Sequence, residues 1–132
     1  MQQRLPGQFF YFQSMHNHIQ TGKTGESLAT AYFINKGFDI LYRNWRHKRL
    51  EVDIIAVKDA VLHFIEVKTR TSDRFGPPEE KVTEKKLRSL INASEAFLHQ
   101  YPQWQRICFD VLSVTLGEQG KADFFLIEDV YL

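Results

Sequence analysis

Two acidic residues and a lysine interrupt an apolar stretch between positions 50 and 70. Asp53 lies in the run Leu-Glu-Val-Asp-Ile-Ile-Ala-Val, and Glu66 and Lys68 lie in the run Val-Leu-His-Phe-Ile-Glu-Val-Lys-Thr-Arg. Carboxylate oxygens are ligands that Mg²⁺ prefers in proteins. A bound divalent ion polarises a phosphate and lowers the pKa of a bound water. These residue types therefore predict a site for Mg²⁺ or Mn²⁺ with a lysine beside it.

The elements that must position these residues are two strands joined by a tight turn. Both runs are rich in β-branched residues and flank a short polar break, a pattern that predicts a β-hairpin. If positions 59 and 60 form a two-residue turn, Lys58 pairs with Val61, and the ladder places Asp53 opposite Glu66. A four-residue loop gives the same register, whereas a three-residue loop shifts it by one residue.

In the first register Asp53 and Glu66 are direct cross-strand neighbours, with Cβ atoms about 5 Å apart. Like charges at this spacing destabilise a sheet, and burying them without a partner costs more. A divalent cation between them would remove that cost. The same register places Glu51 opposite Lys68. The alternative, in which both acids face solvent from a half-exposed sheet, is disfavoured by the apolar residues around them.

Composition limits the class of protein. The 132 residues, 43% of them hydrophobic, are typical of one globular domain with a single core. The net charge of +1 means that affinity for nucleic acid must come from uneven placement of charge. The lone Cys108 argues against a disulfide and against a cysteine-based zinc site, and it suits a reducing cytoplasm. No stretch approaches the roughly 20 apolar residues of a membrane helix, so we expect a cytoplasmic protein without membrane contact.

We divide the chain into an N-terminal extension at 1–20 and a single domain at 21–132. The aromatic run at 9–12 is too short for a signal-peptide core, and the sequence leaves open whether it packs on the domain or on a second subunit. Apolar periodicity and breakers predict an α/β domain with a mixed sheet of about five strands flanked by helices. The predicted order is a helix from Thr21 or Thr24 to about Lys36, a strand at 38–45, the hairpin, a helix at about 83–100, and strands at 107–116 and 123–132.

Glu26 is predicted to lie in the first turn of the first helix, where a lone acid most often complements the helix dipole. The nearby Thr21-Gly22-Lys23-Thr24 invites interpretation as a phosphate-binding loop. It lacks the glycine that this motif needs five residues before Gly22, where Asn17 stands. Asp110, inside a predicted strand, is expected to pair with a nearby arginine.

Basic residues near the hairpin are candidates for phosphate contacts. One group clusters with Trp45 in a predicted loop, and basic residues with an aromatic suit phosphate contact and base stacking. A solvated turn explains that group equally well. A second group lies in the breaker-rich loop after the hairpin and on one face of the second helix, where a charged solvent face is the alternative. The predicted nucleic-acid-binding residues are Arg46, Lys48, Arg49, Arg70, Arg74, Lys81 and Lys85.

The constellation resembles the restriction-endonuclease-like nuclease core, whose signature is Asp, a spacer and Glu-x-Lys, here Asp53 and Glu66-Val67-Lys68. In narrower detail the chain is similar to the YraN-like family of small bacterial proteins, related in fold to archaeal Holliday-junction resolvases. The similarity covers about residues 21–130 and departs at Leu50, where the family usually has glycine. The residues that carry it are Gly22, Gly25, Glu26, Ala29, Gly37, Asn44, Glu51, Asp53, Glu66 to Arg70, Phe75, Gly76 and Lys85.

This resemblance implies a metal-dependent nuclease that acts on DNA, with branched or recombination intermediates among its substrates. Asp53 and Glu66 would hold the ion, Glu26 would complete its shell, and these three acids with Lys68 would form the catalytic set. The carboxylates favour the charged form of Lys68, so we expect it to position the attacking water and stabilise transition-state charge. A homodimer would suit a symmetric junction.

Two other functions stay open at this point. The first is a nucleic-acid-binding module on the same fold without catalysis. The second is a structural or interaction protein, in which a Glu51–Lys68 pair and a pair between Asp53 and an arginine satisfy one another.

Overall fold

The computed structural model describes residues 18–71 and 83–130, so the predictions for the N-terminal aromatics, Arg74 and Lys81 lie outside the described residues. The elements are helix α1 (His18–Asn35), strands β1 (Asp39–His47), β2 (Leu50–Lys58) and β3 (Val61–Arg70), helix α2 (Glu84–Gln100), strand β4 (Ile107–Leu116), a 3₁₀ turn (Glu118–Gly120) and strand β5 (Ala122–Ile127).

One mixed sheet has the strand order β1-β2-β3-β4-β5. Strands β3 and β4 are parallel, and the other neighbours are antiparallel. Parallel neighbours need a long connection, and α2 lies in the crossover between them. The predicted α/β class and the order of helices and strands are therefore confirmed.

The β2–β3 hairpin has a two-residue turn, the first of the three loop lengths that the sequence left open. Lys58 pairs with Val61, and both intervening residues have positive φ (53° and 65°), as a type I′ turn requires. The paired ladder, however, runs back only to Ile54 and Ile65. Strand β2 stays paired with β1 beyond that point, so β2 separates from β3 where Asp53 begins. The predicted register is right, but its extension into a regular pair at Asp53 is wrong.

Apolar side chains cover both faces of the sheet. Adjacent residues of β2, Ile54 and Ile55, are fully buried in different clusters, as the two-residue period of a strand requires. Asp53 and Glu66 therefore do not face solvent from a half-exposed sheet. The cluster under α1 contains Leu28, Ala29, Phe33, Ile54, Ala56, Ile65, Leu112, Val114 and Leu116, and the cluster under α2 contains Val52, Ile55, Leu62, Phe64, Leu90, Ala93 and Phe97.

Helix α1 begins earlier than the sequence predicted. Its first residue is His18, so Thr21 and Thr24 lie within the helix rather than at its cap. Glu26 is consequently in the third turn, too far from the helix start to act on the dipole, which is felt within the first turn. The second helix agrees with its prediction, since Thr83 is the N-cap and its side chain accepts from the Lys86 amide at 3.1 Å.

Two strand boundaries also differ from the predictions. Strand β1 extends to His47, so Arg46 lies on an edge strand rather than in a loop, and only Lys48 and Arg49 form the turn. The extension is possible because β2 supplies backbone partners up to the His47–Leu50 pair. Strand β5 ends at Ile127 and not at residue 132.

Gly25 allows α1 to approach β3 closely. A methyl group on this residue would overlap the hydroxyl oxygen of Thr69 and lie 2.6 Å from its Cγ2 atom. No larger residue fits without movement of the helix. This contact sets the distance at which the next residue, Glu26, faces the sheet.

We expect Gly25→Ala to lower the free energy of unfolding by about 1–2 kcal/mol, because an overpacking cost near the upper end of about 1–3 kcal/mol outweighs the gain in helix propensity of about 1 kcal/mol. Urea denaturation measures this. The matched control is Gly117→Ala, where the new carbon would meet no atom closer than 3.6 Å. If both variants were as stable as the parent chain, the close approach would be refuted.

Candidate active site

Asp53 lies where β2 separates from β3. Its carboxylate serves as a hydrogen-bond acceptor for an amide of β3 in place of a backbone carbonyl of β2. Its Oδ2 atom accepts a hydrogen bond from the Val67 amide at 2.7 Å. Three other carboxylates, those of Glu66, Glu26 and Glu51, are close enough to act electrostatically on it. The structure therefore brings together the acids that the sequence singled out, from α1, β2 and β3.

Burial and, after it, the negative charge of Glu66 raise the pKa of Asp53 to about 7 against the opposing effect of the Val67 amide. Burial also raises the pKa of Glu26, against a hydrogen bond from Asn44 and the charge of Arg43. Each shift reports that adding negative charge here is unfavourable. A bound cation would reverse that preference.

Glu66 has a cationic partner that was not predicted. Lys86, in the first turns of α2, places its Nζ atom 3.2 Å from Glu66 Oε2, and the Glu66 side chain is only 16% exposed. Lys68 and Lys86 line a small pocket with Glu66 and three apolar residues. The sequence pointed to Lys85, which is exposed. The spacing of Lys86 four residues before the buried Leu90 was the signal that it borders the buried face.

Asn44 is a second residue whose role was not predicted. Its φ is 54°, a left-handed conformation that asparagine tolerates better than most residues. The pairs on either side of it, Arg43 with Ile54 and Trp45 with Val52, are regular. Asn44 therefore lies opposite Asp53 in an unshifted part of the ladder, since the register shift of β1 falls between Ile40 and Tyr42, and the Asn44 side chain hydrogen-bonds Glu26.

The donor set fits a hard divalent cation, because Asp53, Glu66 and Glu26 offer carboxylate oxygens in a partly buried setting. The three acids are not preassembled, however. Within the described part of the chain, the group of three potential ligands that all lie within 4.8 Å of one another is a different one, at the far end of the sheet. Binding one ion would require the acidic side chains to close in, with Glu66 exchanging its contact to Lys86.

The described basic residues lie at the same end of the sheet as the acids. Lys48, Arg49 and Lys85 are exposed. Arg46 is paired with Glu51 at 3.5 Å, so the predicted pairing of Glu51 with Lys68 does not form. The guanidinium nitrogens of Arg70, at the end of β3, are buried and have no hydrogen-bond partner in the part of the chain that the structure describes.

Comparison with known proteins identifies the family of this chain. A family model described as "Uncharacterised protein family UPF0102" matches residues 25–114. The chain belongs to this family. A UPF0102 protein from Phocaeicola vulgatus is 39% identical over 117 residues, which cover 89% of this chain and 96% of that one. One from Chlorobium phaeobacteroides is 47% identical, covering 83% and 89%, and one from Chloroherpeton thalassium is 37% identical, covering 89% and 97%.

The predicted resemblance to this bacterial family is therefore confirmed. The matched segment of the UPF0102 model includes all four residues of the predicted catalytic set, Glu26, Asp53, Glu66 and Lys68. Among the described residues, no helix is both long enough and apolar enough to cross a membrane.

A second polar cluster lies at the opposite end of the sheet. Asp110 is 2% exposed and contacts His63 Nδ1 at 2.6 Å through Oδ2, not an arginine as predicted. Its Oδ1 atom accepts from the Asp129 amide at 2.9 Å. Burial, together with the nearby Asp110 and Asp129, raises the pKa of Cys108 to about 12. The thiol is thus no ready nucleophile, because reactivity requires the thiolate.

We expect Asp53→Asn to stabilise the metal-free chain at high pH. The folded state favours the protonated acid, so the contribution of Asp53 to stability is fully present below its unfolded pKa of 3.8 and is lost as the pH rises through about 7. The gain from Asp53→Asn should therefore increase by roughly 2 kcal/mol between pH 5 and pH 8. Denaturation with a chelator present at both pH values measures it.

The matched control is Glu95→Gln, which neutralises an exposed acid of α2 and should show no such trend. A gain for Asp53→Asn that is equal at both pH values would show that Asp53 is not held in its protonated form by the fold.

Proposed function

We propose that this chain is a metal-dependent nuclease that hydrolyses phosphodiester bonds of DNA, with branched DNA as a preferred substrate class. The observation that carries the proposal is the partly buried Asp53, fixed by the Val67 amide and surrounded by Glu66, Glu26 and Glu51. A fold that keeps so much negative charge in one place, with a pKa raised to about 7, favours capture of a cation.

Asp53 and Glu66 would hold Mg²⁺ or Mn²⁺, and Glu26 would complete the shell. The bound ion would supply Lewis-acid polarisation of the scissile phosphate and a water of lowered pKa. The Val67 amide orients Asp53 by occupying Oδ2. That hydrogen bond limits the rotation of the carboxylate, which is the kind of support that a ligand needs.

Lys68 and Lys86 supply the positive charge of the site. Both border Glu66 in the same pocket, Lys68 from the strand and Lys86 from the helix. A phosphate that enters there would meet an ammonium group, which stabilises negative charge as it develops in the transition state. We therefore assign Lys68 the role of positioning the attacking water and stabilising that charge.

The basic residues at this end would hold the DNA backbone, since phosphate contacts position a strand without reading its sequence. Lys48 and Arg49 come from the β1–β2 turn and Lys85 from the start of α2. The buried guanidinium of Arg70 lacks a hydrogen-bond partner within the described ranges, and a phosphate oxygen would satisfy it. Two copies of the chain would match the two-fold symmetry of a junction.

The alternative is a nucleic-acid-binding module without catalysis. The Glu66–Lys86 ion pair favours it, because Glu66 is already neutralised and the three acids are spread beyond 4.8 Å. The structural-protein hypothesis loses its basis. Neither the Glu51–Lys68 pair nor a pair between Asp53 and an arginine is present among the described residues.

We expect the purified chain to cleave branched, flapped or single-stranded DNA with Mn²⁺ or Mg²⁺ and to stop when a chelator is added. Glu66→Gln should lower the rate by about 10²-fold or more, and Lys68→Ala by a similar factor, because each removes a charge needed in the transition state. Glu95→Gln, which neutralises an exposed acid elsewhere on α2, is the matched control. Gel assays of labelled DNA provide the rates.

Cleavage that persists unchanged in Glu66→Gln would identify a contaminant and remove the nuclease assignment. Salt-sensitive binding without any cleavage by the parent chain would favour the binding-module alternative.

We expect Lys48→Gln with Arg49→Gln to weaken DNA binding for all sequences alike. Losing two phosphate contacts should reduce the slope of log affinity against log salt by about 1.4–1.8, depending on whether the DNA is single- or double-stranded. Fluorescence anisotropy across a salt series measures the slope. The matched control is Lys36→Gln with Arg106→Gln, which removes the same charge at the opposite end of the sheet. Equal slopes for the two double variants would mean that the binding face is misassigned.

A further inference from the structure

The end of the sheet remote from the acidic site carries a cluster with different chemistry. His63 on β3 pairs directly with Cys108 on β4, and Asp110 follows Cys108 by two residues, so all three point to the same face. A nitrogen or sulfur atom or a carboxylate oxygen from each lies within 4.8 Å of the others. Along β3, His63 is four residues from Val67, or roughly 13 Å, so this cluster is separate from the acids.

A fourth potential ligand comes from the segment after β5. Asp129 Oδ1 lies 3.6 Å from the Cys108 sulfur, and the Asp129 amide donates to Asp110 Oδ1 at 2.9 Å. The neighbouring Val130 amide donates to the Phe109 carbonyl at 2.7 Å. Two backbone hydrogen bonds therefore hold Asp129 beside the cluster independently of its side chain.

We propose that His63, Cys108, Asp110 and Asp129 form a structural site for Zn²⁺. One imidazole nitrogen, one sulfur and two carboxylate oxygens suit this borderline-soft ion, whereas sulfur is a poor ligand for Mg²⁺. Four protein ligands leave no open position, which is the arrangement of structural rather than catalytic zinc. This site departs from the expectation that a chain with one cysteine has no cysteine-based zinc site, because it needs one thiolate among ligands of mixed type.

The spacing of the His63, Cys108 and Asp110 ligand atoms is close to what zinc requires, whereas the exposed Asp129 carboxylate is near the sulfur but outside this group and must turn inward to complete the site. In a tetrahedral site with the usual bond lengths, ligand atoms lie about 3.3–3.7 Å apart. The distances from Cys108 Sγ to Asp110 Oδ1 and to Asp129 Oδ1, 3.3 and 3.6 Å, already fall in this range. The 2.6 Å contact between His63 and Asp110 must open by about 1 Å when an ion replaces the shared proton.

An ion can reach the cluster from solvent, and its binding has a defined proton balance. His63, Cys108, Asp110 and Asp129 line a cleft of about 900 Å³. Zinc would bind the thiolate, so the Cys108 proton is released to solvent, while the proton between His63 and Asp110 moves to the other ring nitrogen of His63, which then binds the ion as a neutral imidazole. The ion would tie the segment after β5 to β4 and thereby stabilise the fold.

The test uses tag-free, chelator-treated chain kept reduced without added thiol, titrated with Co²⁺ as a spectroscopic substitute and with Zn²⁺ in competition. We expect one equivalent of Co²⁺ to give a thiolate-to-cobalt charge-transfer band that Zn²⁺ abolishes. Cys108→Ser should remove the band, and His63→Gln should weaken zinc binding by at least about tenfold. The matched control His99→Gln, on the exposed last turn of α2, should bind as the parent chain does.

Thermal melting gives a second measurement that does not depend on cobalt. One equivalent of Zn²⁺ should raise the melting temperature of the parent chain and of Asp53→Asn, but not of Cys108→Ser. No charge-transfer band in the parent chain, or a band of equal intensity in His63→Gln, would overturn the proposal. The first result would leave the cluster as a hydrogen-bonded one, and the second would indicate binding by the thiol alone.

Discussion

One hydrogen bond, from the Val67 amide to the Asp53 carboxylate, makes the candidate active site possible. Where two strands separate inside a sheet, the amides that lose their partners must be satisfied in another way. A side-chain acceptor does this at Val67, so β2 and β3 part without leaving a buried donor unpaired. The same bond fixes the carboxylate. The separation of the two strands and the placement of Asp53 thus depend on the same hydrogen bond.

Electrostatics sets the cost of that arrangement. Glu26, Asp53 and Glu66 approach from three elements, and burial prevents water from screening them fully. Asn44 and Lys86 offset part of the charge, one through a hydrogen bond and the other through an ion pair. Asp53 has neither kind of side-chain partner in the described structure and depends on the Val67 amide alone. It is therefore the group whose protonation state should respond most to whatever binds there.

Features set by neighbouring residues were predictable from the sequence. The hairpin register next to the turn, the bounds of β4 and the start of α2 follow from residue period and breaker residues, which act over a few positions. The acids and Lys68 were found because polar residues inside apolar strands are conspicuous. Glu26 was identified through resemblance, while its position in the helix was wrong because the predicted start at Thr21 or Thr24 passed over Asn17, a favoured capping residue type directly before the observed start at His18.

Features set by distant contacts were not predictable. Lys86 reaches Glu66 only once α2 has packed on the sheet, and Asn44 reaches Glu26 only once β1 and α1 have both docked around β2. The partner of Asp110 depends on the parallel pairing of β3 with β4, which joins residues 47 positions apart.

The parallel alignment of β3 with β4 has a further consequence for how this chain tolerates change. Strand β3 presents His63 toward one end and Glu66 toward the other, and the two residues point to opposite faces because they are an odd number of positions apart. Inserting or deleting one residue between them would move either His63 or Glu66 to the other face of the sheet. Insertions and deletions should therefore be tolerated in the segments that connect the strands and helices, but not within β3.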